Sequence, residues 1–130
     1  MAKVGIGIIG LGPRAETLLA SLKFMTDVME ITAICDLNEA RIELLRNKIR
    51  DTGMPAPKEY RNYRELIADP AVDAVLIPTS WNSHLQIAEE CLAHGKYAGI
   101  EVGGAASLDE LWQIVRAAEK TGVSCMMLEN

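Results

Sequence analysis

Strand-length apolar runs alternate with helix-period stripes along the whole sequence, and this alternation restricts the fold more than any other feature. Lys3 to Ile9, Glu30 to Cys35, Val72 to Ile77, Tyr97 to Val102 and Val123 to Leu128 are the runs. Their apolar character is nearly continuous rather than alternating, as in parallel strands covered on both faces. Pro57 to Arg61, shorter and close behind Pro55, reads as an edge strand. Between the runs lie three stripes: Leu18, Leu19, Leu22 and Met25; Ala40, Leu44, Leu45 and Ile49; Ile87, Ala88, Cys91 and Leu92. A fourth, Leu108, Leu111, Trp112, Val115 and Ala118, starts from Ser107 as N-cap with Glu110 placed to complete a capping box. Gly95 and Gly122 close two of the helices. No hairpin signal such as Asn-Gly joins neighbouring strands. The expected fold class is α/β: a doubly wound parallel sheet of six strands in the order 3-2-1-4-5-6, with helices on both faces.

The 130 residues fit one domain spanning residues 1–130, and 49% hydrophobic residues supply its core. A net charge of -5 without a basic block argues against nucleic acid or an anionic membrane as partner. No stretch approaches the ~18 apolar residues of a membrane span, and Gly5, Gly7 and Gly10 break the N-terminal run, so it lacks the form of a signal peptide. Cys35, Cys91 and Cys125 form no CxxC pair and read as buried thiols of a reduced compartment; the expected location is cytoplasmic.

Two glycine patterns compete at the first strand. Gly5-Ile6-Gly7-Ile8-Ile9-Gly10 spells GxGxxG but lies within the strand, where no helix can follow it directly. Gly10-Leu11-Gly12-Pro13-Arg14-Ala15 follows the strand and opens a helix, the context of the Rossmann fingerprint. Gly10 permits the tight turn, Gly12 lets backbone approach a pyrophosphate, and Ala15 lets helix and strand pack closely. Pro13 suits the first helical turn, and Arg14 adds charge at a helix end already favourable to anions. Asp36 ends the second strand about 20 residues further on, where a carboxylate accepts from both ribose hydroxyls of an adenosine and repels a 2′-phosphate. Leu37 and Asn38 offer no cation for that phosphate, so NAD is expected over NADP. The alternative is that Asp36 or Asn38 merely caps the following helix.

Two further loops reach the same end of the sheet. Pro78-Thr79-Ser80-Trp81-Asn82-Ser83-His84 follows the fourth strand; on the plainer reading Ser80 or Asn82 caps a helix and His84 faces solvent. His94 lies on another face of that helix, so no metal pair is expected. Glu101-Val102-Gly103-Gly104 follows the fifth strand and reads as a flexible ligand-lining loop or a simple turn.

Taken together, Gly10-Leu11-Gly12, Cys35-Asp36, Thr79 to His84, Gly95-Lys96-Tyr97 and Glu101 resemble the nucleotide-binding half of the glucose–fructose oxidoreductase and inositol dehydrogenase (Gfo/Idh/MocA) family. The resemblance covers essentially the whole chain. It implies cofactor-binding roles for Gly10, Gly12, Pro13, Arg14, Asp36, Thr79, Ser80, Trp81, His84 and Glu101, with Glu101 lining the nicotinamide ribose. Ser80 replaces the family's proline, and Val102 replaces its lysine, which in the family assists proton and hydride movement. Relatives with Glu-Val here include NAD-dependent glycosidases. The resemblance implies an oxidoreductase acting on a sugar or polyol, whose catalytic groups come from a C-terminal substrate domain absent from this chain. The expectation is therefore a truncated domain, monomeric or weakly dimeric and inactive alone; the alternative is a stand-alone regulatory module that senses NAD(H) or CoA without catalysis.

Overall fold

Every apolar run becomes a strand of one sheet in the computed structural model, which describes residues 1–129. The elements in chain order are β1 (Val4–Ile9), α1 (Pro13–Leu22), β2 (Met29–Cys35), α2 (Glu39–Asp51), β3 (Lys58–Tyr60) and α3 (Tyr63–Ala68). They continue with β4 (Ala74–Ile77), α4 (Trp81–Ala93), β5 (Tyr97–Glu101), α5 (Leu108–Thr121) and β6 (Cys125–Leu128). The sheet order is β3-β2-β1-β4-β5-β6 and every pairing is parallel, as the alternation predicts. Ile8 in central β1 lies opposite Ile34 of β2 and Leu76 of β4. The fourth run starts late as a strand because the Val72 N–H is taken by Asp69 O in a turn.

The pleat of β1 divides the core in two. Ile6 and Ile8 face one layer with Ala15 and Leu19 of α1 and Ile42, Leu45 and Ile49 of α2. Ile9 faces the other, with Leu66 and Ile67 of α3, Ile87, Ala88, Cys91 and Leu92 of α4, and Ile114 of α5. The α4 stripe packs as its spacing predicts; three other stripes are rotated from expectation. In α1 the buried face is Ala15 and Leu19, and Met25 lies beyond the helix, exposed. In α2 it is Ile42, Leu45 and Ile49, leaving Ala40 and Leu44 in solvent. In α5 only Ile114 is fully buried, while Leu108, Trp112 and Val115 are exposed, because this helix covers the sheet margin beside β6.

Helix ends follow side-chain chemistry. Ser107 accepts from the Glu110 N–H at 3.2 Å, but Glu110 Oε2 accepts from Ala106 N–H at 2.7 Å, one residue outside the expected capping box. Cys35 and Cys91 are buried free thiols; burial pushes them up to about 11 and about 12 respectively, which leaves both as weak nucleophiles.

A polar knot fastens the edge strand to the central sheet. Asp69 ends α3 with its side chain 1% exposed, accepting from Ala71 N–H at 2.9 Å and Tyr60 OH at 2.8 Å, with Lys58 Nζ at 3.2 Å. Lys96, just before β5, donates to Asp69 O and Val72 O. Burial pushes the Asp69 carboxyl upward, but the Ala71, Tyr60 and Lys58 contacts outweigh it and hold the group below the usual carboxylate range. A depressed folded-state value contributes stability above the unfolded value of about 4 and loses it as pH falls through the folded value. Asp69→Asn is accordingly expected to lower the urea midpoint at pH 7 and to converge with the parent as the pH drops through that acid range.

Candidate functional site

The C-terminal ends of β1, β2 and β4 open onto one crevice of about 740 Å³, at the point where the strand order reverses. Small-ligand sites occupy roughly 300–1,000 Å³. Gly10, Gly12, Asp36, Thr79 and Ser80, all singled out from sequence, line it. Gly10 has φ +93°, and a Cβ there would lie 2.8 Å from Thr79 Cγ2, so both conformation and space demand glycine. At Gly12, the N-cap of α1, a Cβ would meet nothing nearer than Arg41 Nη1 at 3.9 Å. The backbone here is open to a close-approaching ligand. Pro13 begins the helix and Ala15 is fully buried beneath it.

Asp36 ties the glycine turn to β2. Its Oδ2 accepts from Leu11 N–H at 2.8 Å and its Oδ1 from Asn38 N–H at 2.8 Å. Capping of α2 falls to Asn38, whose side chain accepts from Ala40 N–H at 2.9 Å. The two carboxylate oxygens keep further lone pairs for other donors. Sequence reading found no cation beside this carboxylate, and here the structure corrects it: Arg41 Nη1 lies 3.9 Å from Asp36 Oδ2. Arg41 sits in the first turns of α2, so a helix start at Glu39 was the signal that could have found it.

Arg61 and Asn62, between β3 and α3, and Tyr63 and Arg64, which begin α3, also line the crevice and carried no sequence signal. Arg61 pairs with Glu39. Tyr63 OH donates to Glu90 Oε1 at 2.8 Å, and Arg64 Nη2 reaches the same oxygen at 2.9 Å. Burial, then the Glu90 contact, pushes the Tyr63 phenol up to about 12.

Arg14, Trp81, His84 and Glu101 lie outside the crevice lining and gather around the end of β5. Arg14 Nε is 2.9 Å from Glu101 Oε2, an ion pair joining the first turn of α1 to the end of β5. Trp81 Nε1–H donates to Val102 O at 2.9 Å. His84, which only the plainer reading put at the surface, is fully buried: Nδ1 lies 3.0 Å from Gly104 O and Nε2 3.0 Å from Thr79 O. Ser80 is the N-cap of α4 without a side-chain cap bond; Ser83 Oγ, 2.7 Å from Thr79 Oγ1 and 2.8 Å from Ser80 O, holds that turn instead. Nor are Gly103 and Gly104 a slack hinge. Gly103 has φ +100°, and a Cβ there would come within 2.4 Å of the Trp81 ring. Gly103→Ala is expected to cost about 1–3 kcal/mol by strain and overpacking. It should also shift Trp81 fluorescence to the red, read in a Trp112→Phe background beside urea unfolding.

The profile described as an oxidoreductase family with an NAD-binding Rossmann fold matches residues 4–129. A glycosyl hydrolase family 109 protein of Shewanella sp. (strain W3-18-1) is 37% identical over 134 residues, covering 100% of this chain and 29% of that protein. Its counterpart in Streptomyces filamentosus is 34% identical over 131 residues, covering 98% and 26%. The chain thus spans between a quarter and a third of these curated relatives. Among solved structures, a probable dehydrogenase from Thermotoga maritima superposes with TM-score 0.85 at 29% identity, covering 95% of this chain and 35% of that one. The WlbA dehydrogenase from Bordetella pertussis, solved with NADH and UDP-GlcNAcA, gives TM-score 0.88 at 19% identity, over 98% and 37%, a likeness of fold.

Proposed function

This chain belongs to the Gfo/Idh/MocA oxidoreductase family with its NAD-binding Rossmann fold, and on that premise we propose that it is the cofactor half of a longer enzyme acting by hydride transfer on a sugar or polyol. The observation that carries the reading is Asp36, which holds the Gly10–Gly12 turn through Leu11 N–H while its carboxylate borders the crevice. One group thereby connects the two parts a dinucleotide needs, an open helix N-terminus for pyrophosphate and an acceptor for ribose hydroxyls.

In this reading Gly10, Gly12 and Pro13 shape the pyrophosphate turn, and Thr79 and Ser80 border the path toward the nicotinamide. Glu101 receives the nicotinamide ribose, its carboxylate oriented by Arg14 at 2.9 Å. Trp81 and His84 belong to the same end of the site. Bound NAD supplies the carbon that accepts and returns hydride. The chain's own part is position and electrostatics. Val102, where the family carries lysine, holds no proton, so the base that takes the substrate hydroxyl proton belongs to a substrate domain outside residues 1–130. The sugar or polyol class draws support from the curated relatives, which are named glycosyl hydrolases.

Calorimetric titration tests the reading: NAD is expected to bind more tightly than NADP, because Asp36 accepts from two hydroxyls and repels a phosphate. Arg41 narrows that margin without removing it, being half exposed and already drawn toward Asp36. Asp36→Ala should weaken NAD by about 1–3 kcal/mol. Equal affinity of the parent for both dinucleotides would remove Asp36 from this role. Incubated with NAD and a panel of sugars and polyols, the 130-residue chain is expected to form no reduced cofactor by absorbance. Turnover would show that the catalytic groups lie within it.

A further inference from the structure

The first turn of α4 holds the loop after β5 at two points. Trp81 and His84 are three residues apart on a helix, so their side chains share a face. Trp81 donates to Val102 O at 2.9 Å, and His84 Nδ1 lies 3.0 Å from Gly104 O. Between these carbonyls sits Gly103, whose missing Cβ leaves room for the indole. The other His84 nitrogen lies 3.0 Å from Thr79 O, so the ring sits between the loop after β4 and the loop after β5, and its neutral form donates its one N–H to one of the two carbonyls, according to tautomer. The joined loop begins at Glu101, which meets Arg14. Contacts therefore run unbroken from Thr79 through His84 and Gly104 to Glu101 and on to α1.

These side chains have no polar atom left for a ligand. The indole has one donor, and Val102 O receives it. Both imidazole nitrogens face main-chain carbonyls and the ring is fully buried. With one N–H on the neutral ring, a hydrogen bond from His84 to a cofactor would take that donor away from a loop carbonyl.

We infer that Trp81 and His84 are positioning residues that act as a two-point clamp, fixing the loops after β4 and β5 before ligand arrives. The inference rests on reading the crevice as a dinucleotide site. A loop containing two successive glycines loses much conformational entropy when ordered. Ordering it in advance removes that cost from binding, as preorganisation does generally. The benefit falls on the part of the ligand these loops face, the nicotinamide end, and not on the adenosine end held by Asp36 and the glycine turn.

The test compares NAD with ADP, which carries the same adenosine and diphosphate but neither the second ribose nor the nicotinamide. Both are titrated calorimetrically into the parent chain, His84→Gln and Trp81→Phe. Trp81→Phe keeps an aromatic side chain and removes the donor with part of the indole's area, so it carries the test if His84→Gln does not fold. In each folded variant NAD affinity is expected to fall about tenfold while ADP changes less than about twofold. Amide hydrogen exchange should quicken over residues 102–105 and stay unchanged in β1. Equal losses for both ligands, or no loss for either, would overturn the clamp while leaving the dinucleotide reading in place. A parent chain that binds neither ligand would overturn that reading and the clamp with it.

Discussion

A single hydrogen bond, from the Leu11 N–H to the Asp36 carboxylate at 2.8 Å, joins the two halves of chemistry on which the crevice depends. The glycine turn brings no side chains at Gly10 and Gly12, and besides the Gly10 N–H to Cys35 O bond at 2.9 Å it depends on Asp36 for its tie to β2. The carboxylate alone is a charge at a strand end. Linked, they give the turn a fixed shape and the carboxylate a fixed direction. β2 must then lie beside β1 in parallel register, with Ile9 against Cys35, for the bond to form. Sheet order and site geometry are consequences of one pairing.

Legibility in the sequence followed the distance over which each feature is determined. Strands were plain because a run buried on both faces is apolar at every position, whatever its neighbours. The glycine turn and Asp36 were plain because backbone sterics and strand ends confine them. Helix faces were read less well. Ala40 and Leu44 match the helical period, yet Ile42 takes the core because helix rotation is set by contact with the sheet. Trp112 and Val115 lie outside for the same reason, on a helix that covers only the sheet margin.

The site divides in the same way. Gly10, Gly12, Asp36, Thr79 and Ser80 converge because they follow strands whose ends are neighbours. The plainer reading of His84 as exposed fails, although a polar residue in the first turn of a helix ordinarily faces water. Nothing local reveals that two carbonyls from separate loops wait for its ring. Arg61 to Arg64 reach the crevice only through the placement of an edge strand three residues long. Side chains that answer to strand topology were legible; those that answer to a neighbouring loop were not.

The sheet order also bears on the birth of the molecule. β1 is made before both strands it pairs with and stands at the centre, but its partner on one side, β4, lies far along the chain: Gly5 reaches Asp73 across 68 residues. At a synthesis rate of about 5–20 residues per second, that separation leaves one edge of an apolar strand unpaired for roughly 3–14 s. For that interval the nascent chain offers β1 and β2 as a ribbon with open backbone groups, the form of surface that chaperones shield and other unfinished chains pair with. The crevice is thus completed late, when β4 slides in beside a strand made long before it.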